Sequence, residues 1–111
     1  MQQNKDMGRV AIVAYKPMPG KEAALRTLIK KYVPCLKEAG LATDKESFIL
    51  ETKDGTIVEV FEWKSEQAMK KAHTNEQVQK MWREYAEVCT YTPLNRLPES
   101  ASLFAEFTPL N

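Results

Sequence analysis

Three side chains that could take part in chemistry lie in one stretch, residues 59–82. His73 is the only histidine, and histidine ordinarily titrates near neutral pH, so beside a pocket it could accept a phenolic proton or position a carbonyl. Glu59 could act as a general base, and Trp63 could form the flat wall of an aromatic-binding cavity. The stretch therefore predicts proton transfer on a planar substrate.

Each of these residues also has a purely structural interpretation. His73 could cap the backbone at a helix end, and Trp63 could belong to the core or to an interface. Glu59 shares its strand face with Trp63, so it is either solvated near a hairpin turn or buried with a raised pKa. Only the second state would make Glu59 a general base.

Further aromatic side chains could line the same cavity. Trp82 and Tyr85 recur with Met81 at helical spacing, which is typical of a core-facing stripe whose edge can border a cavity. Tyr15 ends an apolar strand and could reach the same place. The predicted catalytic residues are His73 and Glu59, and the predicted substrate-binding residues are Trp63, Trp82, Tyr15 and Tyr85.

Hydrophobic spacing predicts the elements that position these residues. Strands are predicted at residues 9–15, 47–53, 56–63 and 101–108, and helices at 21–39 and 66–89, the second pausing at 74–75. Pro34 predicts a kink or break in the first helix near residues 30–34. Asp54 and Gly55 predict a type I′ hairpin turn, since such turns need positive φ at both central residues.

This order of elements predicts an α+β fold, the ferredoxin-like βαββαβ arrangement, with a four-stranded antiparallel sheet and the helices on one face. The first and third strands are apolar on both faces, so the uncovered face predicts a symmetric homodimer. Residues 1–8 are polar and aperiodic and are predicted to be a disordered lead-in, and residues 9–111 a single domain.

Composition narrows the partners and cofactors. The net charge is +1 with interspersed charges, which disfavours nucleic acid and anionic membranes. No segment has the apolar length of a membrane span or the core of a signal peptide, so a cytoplasmic protein is expected. Cys35 and Cys89 are predicted to be free thiols, and with one histidine and no glycine-rich loop we expect neither a metal nor an organic cofactor.

A short motif around Trp63 resembles the antibiotic biosynthesis monooxygenase family. The pattern is Phe-Glu-Trp-x-Ser, then an alanine, then a histidine ten residues after the tryptophan; here it comprises Phe61, Glu62, Trp63, Ser65, Ala68 and His73. Pro19 and Gly20, before the first helix, add to the likeness. The resemblance implies a dimeric α+β barrel of ferredoxin-like subunits.

What the resemblance implies for chemistry depends on two positions. Quinone-forming members use a tryptophan equivalent to Trp63 and an asparagine four residues before it to bind an aromatic substrate, whereas this chain has Glu59 there. Haem-degrading members have a tryptophan and a histidine where this chain has Ala72 and Trp82, which disfavours haem degradation. The prediction is a cofactor-independent monooxygenase acting on a small aromatic or quinol-like substrate. The alternatives are a non-catalytic ligand-binding or interaction dimer and an isomerase of small carbonyl compounds.

Overall fold

The computed structural model describes residues 7–111, and the predicted lead-in lies largely outside this range. The fold is α+β, and all strand pairs are antiparallel. The strands are β1 (Arg9–Pro17), β2 (Phe48–Glu51), β3 (Ile57–Trp63), β4 (Cys89–Thr92) and β5 (Thr108–Pro109). The helices are α1 (Glu22–Glu38), α2 (Glu66–Lys71) and α3 (Glu76–Val88).

The sheet has the strand order β4-β1-β3-β2-β5, so β3 is central. Its first four strands follow the predicted ferredoxin-like order, but the predicted count of four is wrong because β5 adds a fifth at the edge of β2. Since side chains alternate along a strand, β3 directs Ile57, Glu59, Phe61 and Trp63 toward the helices and Val58, Val60 and Glu62 to the other face. One hydrophobic cluster joins the helices to the first set, as predicted.

The first helix does not break near residues 30–34, and the alternative of a kink there stays a prediction. α1 is continuous from Glu22 to Glu38 with Pro34 inside it. Proline removes one hydrogen bond to the carbonyl four residues earlier. Pro34 and Lys30 both face solvent, so water can satisfy that carbonyl while the opposite side of the helix stays packed in the core.

The pause predicted near residues 74–75 is confirmed. α2 begins at the N-cap Ser65, whose Oγ accepts a hydrogen bond from Ala68 N at 3.0 Å. A 3-10 turn, Ala72–Thr74, follows α2, and Asn75 caps α3 by accepting from Val78 N at 3.0 Å. Two capped helices therefore replace one long helix.

The hairpin between β2 and β3 is confirmed, but its predicted type I′ turn is wrong. Gly55 has a φ of 89°, whereas no non-glycine residue of the described chain has a positive φ. Thr52 N donates to Thr56 O, and Gly55 N donates to Thr52 O. This pattern fits a three-residue loop that ends in a left-handed glycine, and Asp54 Oδ1 supports it by accepting from Thr52 Oγ1 and Thr56 N.

The predicted last strand, residues 101–108, is wrong. The position beside β1 is filled by β4, which follows α3 directly and ends before Pro93. Threonine and tyrosine favour extended backbone, so Cys89 begins a strand instead of ending a helix. Residues 102–107 form no strand, and the alternating pattern that predicted one leaves Leu103 and Phe104 strongly exposed.

The sheet face away from the helices is only partly covered. At one end Leu97 packs on Ala14 and Val58, with Phe107 beside them. The rest of this face, here called the open face, carries exposed apolar side chains, with Val10 64%, Ile12 49% and Phe48 61% exposed, beside the half-buried Glu62. In residues 7–111, no helix has the length and apolar character needed to cross a membrane.

Candidate active site

Glu59 is the one acidic side chain at the middle of the core between sheet and helices. Its exposed fraction is 0%, because β3 is the central strand and Glu59 points toward the helices. The neighbouring strands place Val13 and Ile49 directly beside it. The carboxyl group is therefore surrounded by apolar neighbours in its own layer.

The carboxyl group of Glu59 makes one hydrogen bond within the described chain. Tyr15 Oη donates to Oε1 at 3.0 Å, while Oε2 is buried without a partner. Burial raises the pKa of Glu59 to about 8, against a smaller opposing effect of the Tyr15 hydrogen bond. Because burial penalises the charged form, this carboxyl group is mostly protonated at neutral pH and becomes a base only above about pH 8.

A cluster of tyrosines surrounds this acid. Tyr85 stacks on Tyr15 with ring centroids 4.8 Å apart and planes within 6°. Tyr32 of α1 meets the face of Tyr85 edge-on at 5.3 Å. Burial, reinforced by the nearby Glu59, raises the pKa of all three phenols. They are therefore neutral hydrogen-bond donors, and the buried hydroxyl of Tyr85 has no partner in the described chain.

Trp82 connects this cluster to the surface. Its Nε1 donates to Tyr32 Oη at 2.8 Å, and the ring is half-buried on α3. His73 is exposed, and its ring lies 5.2 Å from the Trp82 ring. The backbone carbonyl of His73 accepts from Gln79 Nε2, so this residue takes part in local backbone capping outside the tyrosine cluster.

Trp63 lies at the end of β3 and is buried against Phe61, with ring centroids 5.1 Å apart. Its backbone also bridges to Ala42 in the connection after α1. These contacts account for Trp63 as a core residue, and its predicted role as the wall of a substrate cavity stays a prediction.

The structure thus brings together three of the six predicted site residues, Glu59, Tyr15 and Tyr85. Trp82 joins them through Tyr32 of α1, which was not among the predicted site residues. A buried tyrosine needs a hydrogen-bond partner for its hydroxyl. A tyrosine on the core-facing side of the first helix could therefore have indicated a polar contact in the core. The catalytic role predicted for His73 stays a prediction, and within residues 7–111 its ring lies beside Trp82 and makes no hydrogen bond to Glu59 or to a tyrosine of the cluster.

A surface groove lies at the end of the sheet where β1 ends and β3 begins. Its volume is about 160 Å³, and it is lined by Lys16, Pro17, Glu22, Arg26, Glu51, Asp54, Gly55 and Ile57. Ile57 is paired with Tyr15 and precedes Glu59 by two residues on the same face. Arg26 Nη2 and Glu51 Oε2 form an ion pair of 2.7 Å beside the groove.

The chemistry available here is proton transfer by an acid–phenol cluster. Within residues 7–111, no group of three or more His, Cys, Asp or Glu side chains could hold a metal ion. No protein-family model, curated protein or solved structure matches this chain. The resemblance to antibiotic biosynthesis monooxygenases therefore stays a prediction.

The burial of Glu59 predicts how stability depends on pH. Its folded pKa of about 8 exceeds the ordinary value of 4.5, so between these values the folded chain holds a proton that the unfolded chain releases. The free energy of unfolding is therefore highest below about pH 4.5, and it falls as the pH rises to about 8. Denaturant titrations should show a loss in the free energy of unfolding on the order of 5 kcal/mol over this interval, and Glu59→Gln should remove it.

Glu62 on the opposite face of β3 provides the matched control. Lys45 and Thr43 hold the pKa of its carboxyl group below the ordinary value. Its stability contribution is therefore present at high pH and is lost on acidification. Glu62→Gln should leave the loss between pH 4.5 and 8 intact, and an unchanged slope in Glu59→Gln would refute the assignment.

Proposed function

We propose that this chain is a cofactor-independent monooxygenase for a small aromatic, quinol-like substrate, with Glu59 as its general base. The observation that carries the proposal is the fully buried Glu59 carboxyl group, which binds Tyr15 through one oxygen and leaves the other without a partner. A buried carboxyl group with a pKa of about 8 suits the removal of a weakly acidic proton at mildly alkaline pH.

The proposed reaction requires only a base and positioning. Ionised Glu59 removes a proton from the activated carbon of an anthrone-type substrate, and the resulting carbanion reduces O2 to form a carbon–oxygen bond. Protonation gives a hydroperoxide, whose O–O bond breaks as the second hydrogen leaves the same carbon. The products are a quinone and water, and Glu59 carries the first proton to the departing oxygen.

The tyrosines supply the other requirements of this site. The unpartnered Tyr85 hydroxyl can donate a hydrogen bond to the substrate oxygen, on which negative charge develops as the proton leaves. The stacked rings of Tyr15 and Tyr85 match a planar substrate in shape and polarity. Because raised pKa values keep these phenols neutral, they do not compete with Glu59 for the role of base.

We place the substrate's route at the groove beside Ile57. The Arg26–Glu51 ion pair joins α1 to β2 there, and Arg26 is almost half exposed. Exposed ion pairs contribute little to stability, about 0–1 kcal/mol. Opening of this pair therefore costs little and would widen the groove beside Ile57.

We also propose that two copies pack through their open faces into a dimeric α+β barrel. The support is the set of exposed side chains Val10 and Ile12 on β1 and Phe48 on β2. These two strands flank β3, which contributes the partly buried Val60, and Leu50 of β2 lies beside them. A contiguous apolar surface of this kind is rarely left in water by a monomer. A second copy presents the same surface, as a twofold interface requires.

Oxygen uptake with a panel of anthrones and hydroquinones tests the activity. We expect uptake above the buffer rate, rising with pH to a plateau above about pH 8 as Glu59 ionises. Glu59→Gln should lower the rate by about 100-fold or more, since general bases contribute at least this much. His73→Ala separates the two candidate bases, because only a histidine base would lose the rate in that variant.

Two results would contradict the proposed activity. The first is no uptake above buffer with any member of the panel while a substrate still binds, which favours a non-catalytic ligand-binding dimer. The second is full activity in Glu59→Gln, which removes Glu59 from the mechanism.

Light scattering at micromolar concentration tests the dimer. The chain mass is 12.7 kDa, and we expect twice this value. Ile12→Glu and Phe48→Glu place a charge on the open face and should give the monomer mass. Tyr91→Gln is the matched control, because Tyr91 is exposed on the other side of the sheet. A monomer mass for the unaltered chain would refute the dimer.

A further inference from the structure

All four tyrosines and one of the two tryptophans lie in a single run of neighbouring rings. The order is Trp82, Tyr32, Tyr85, Tyr15 and Tyr91. Trp82 is half-buried at one end, and Tyr91 is 57% exposed at the other. The run therefore begins and ends at the surface and passes through the core beside Glu59.

Each step in this run is short. The Trp82 indole is hydrogen-bonded to Tyr32 at 2.8 Å, and the ring centroids of Tyr32 and Tyr85 are 5.3 Å apart. Tyr85 and Tyr15 are stacked at 4.8 Å, and Tyr91 lies 5.5 Å from Tyr15. Indole and phenol are the protein side chains that lose an electron most readily besides thiols, and rings in contact exchange an electron rapidly.

Tyr15 differs from the other rings because a carboxyl oxygen accepts its hydroxyl hydrogen. A phenol becomes a strong acid once it is oxidised, so an adjacent base that takes its proton makes the oxidation much easier. Ionised Glu59 is such a base at 3.0 Å. Tyr15 is therefore the place in the run where a missing electron is expected to settle.

We propose that Trp82, Tyr32, Tyr85 and Tyr15, here called the aromatic relay, conduct one electron from the Tyr15–Glu59 pair to a one-electron oxidant at the surface. The oxidant removes one electron from Trp82. An electron from Tyr15 then replaces it by way of Tyr85 and Tyr32. The O–H bond of Tyr15 breaks, and its proton moves to Glu59. The products are the reduced oxidant, a neutral Tyr15 radical and a protonated Glu59.

This activity goes beyond the proposed oxygenase and does not depend on it. The relay contains no substrate, and its readout is a radical on the protein. Electron transfer through the relay would still occur if the chain oxidised no quinol at all. Conversely, a chain without the relay could still catalyse oxygenation by proton transfer alone.

The single exposed histidine allows the oxidant to be attached at a defined position. A ruthenium polypyridyl complex bound to His73 would sit against Trp82, whose ring lies 5.2 Å from that of His73. A laser flash with an external electron acceptor then generates ruthenium(III) at this position. At about pH 9, above the Glu59 pKa of about 8, transient absorption and electron paramagnetic resonance should detect a tyrosyl radical.

Phenylalanine substitutions test the route with little change of shape. Tyr32→Phe should leave the radical on Trp82 and abolish the tyrosyl signal. Tyr15→Phe should change the shape of the tyrosyl resonance by moving the radical to another ring. Tyr85→Phe removes a buried hydroxyl without a partner, so it should fold normally and confine the tyrosyl radical to Tyr32.

Trp63→Phe is the matched control, because among the ring pairs of the described residues Trp63 reaches the run through Phe61, which is not oxidised under these conditions. It should keep the tyrosyl signal of the unaltered chain. The proposal is overturned if the unaltered chain yields only a tryptophan radical. It is also overturned if the tyrosyl yield is the same in Tyr32→Phe, or if Tyr15→Phe leaves the resonance unchanged.

Discussion

The burial of one carboxyl group in the core is the constraint on which the rest of this molecule depends. Glu59 lies on the central strand, between Val13 and Ile49. Removing its charge from water would cost several kcal/mol, so the fold holds it in the neutral form with a pKa of about 8. The Tyr15 hydroxyl satisfies one of its oxygens. A leucine at this position would pack without this cost, and the arrangement therefore favours a chemical role over a structural one.

The tyrosines follow from the same constraint. A sheet face and two helices close over Glu59, and each contributes one phenol: Tyr15 from β1, Tyr32 from α1 and Tyr85 from α3. Phenols fill space as apolar rings do and still offer a polar group. This combination gives the proposed site its proton donors and gives the aromatic relay its continuous contacts. The proposed proton transfer and the proposed electron transfer therefore share Tyr15 and Glu59.

Local patterns predicted most of this fold, and long-range choices account for the errors. Alternation in β3 placed Glu59 on the face of Trp63, and the pause predicted at residues 74–75 matches the start of α3 at its cap Asn75. The prediction of the last strand was wrong because residues 101–108 show the same alternation of apolar and polar residues as a strand. Pairing with β1 selects residues 89–92 instead. For the same reason the sequence indicated that Glu59 is either solvated or buried, but it did not decide between the two. Its burial depends on strand order, which no local spacing specifies.

The most direct test of this account is the ionisation of Glu59 itself. Carbon-13 labelling of glutamate side chains lets NMR follow each carboxyl group as the pH is raised, and Glu59→Gln identifies the resonance that belongs to position 59. The account predicts that this resonance titrates near pH 8, while Glu62 titrates below its ordinary range. A Glu59 resonance that titrates near the ordinary value of 4.5 would mean a solvated carboxylate and would contradict the buried general base.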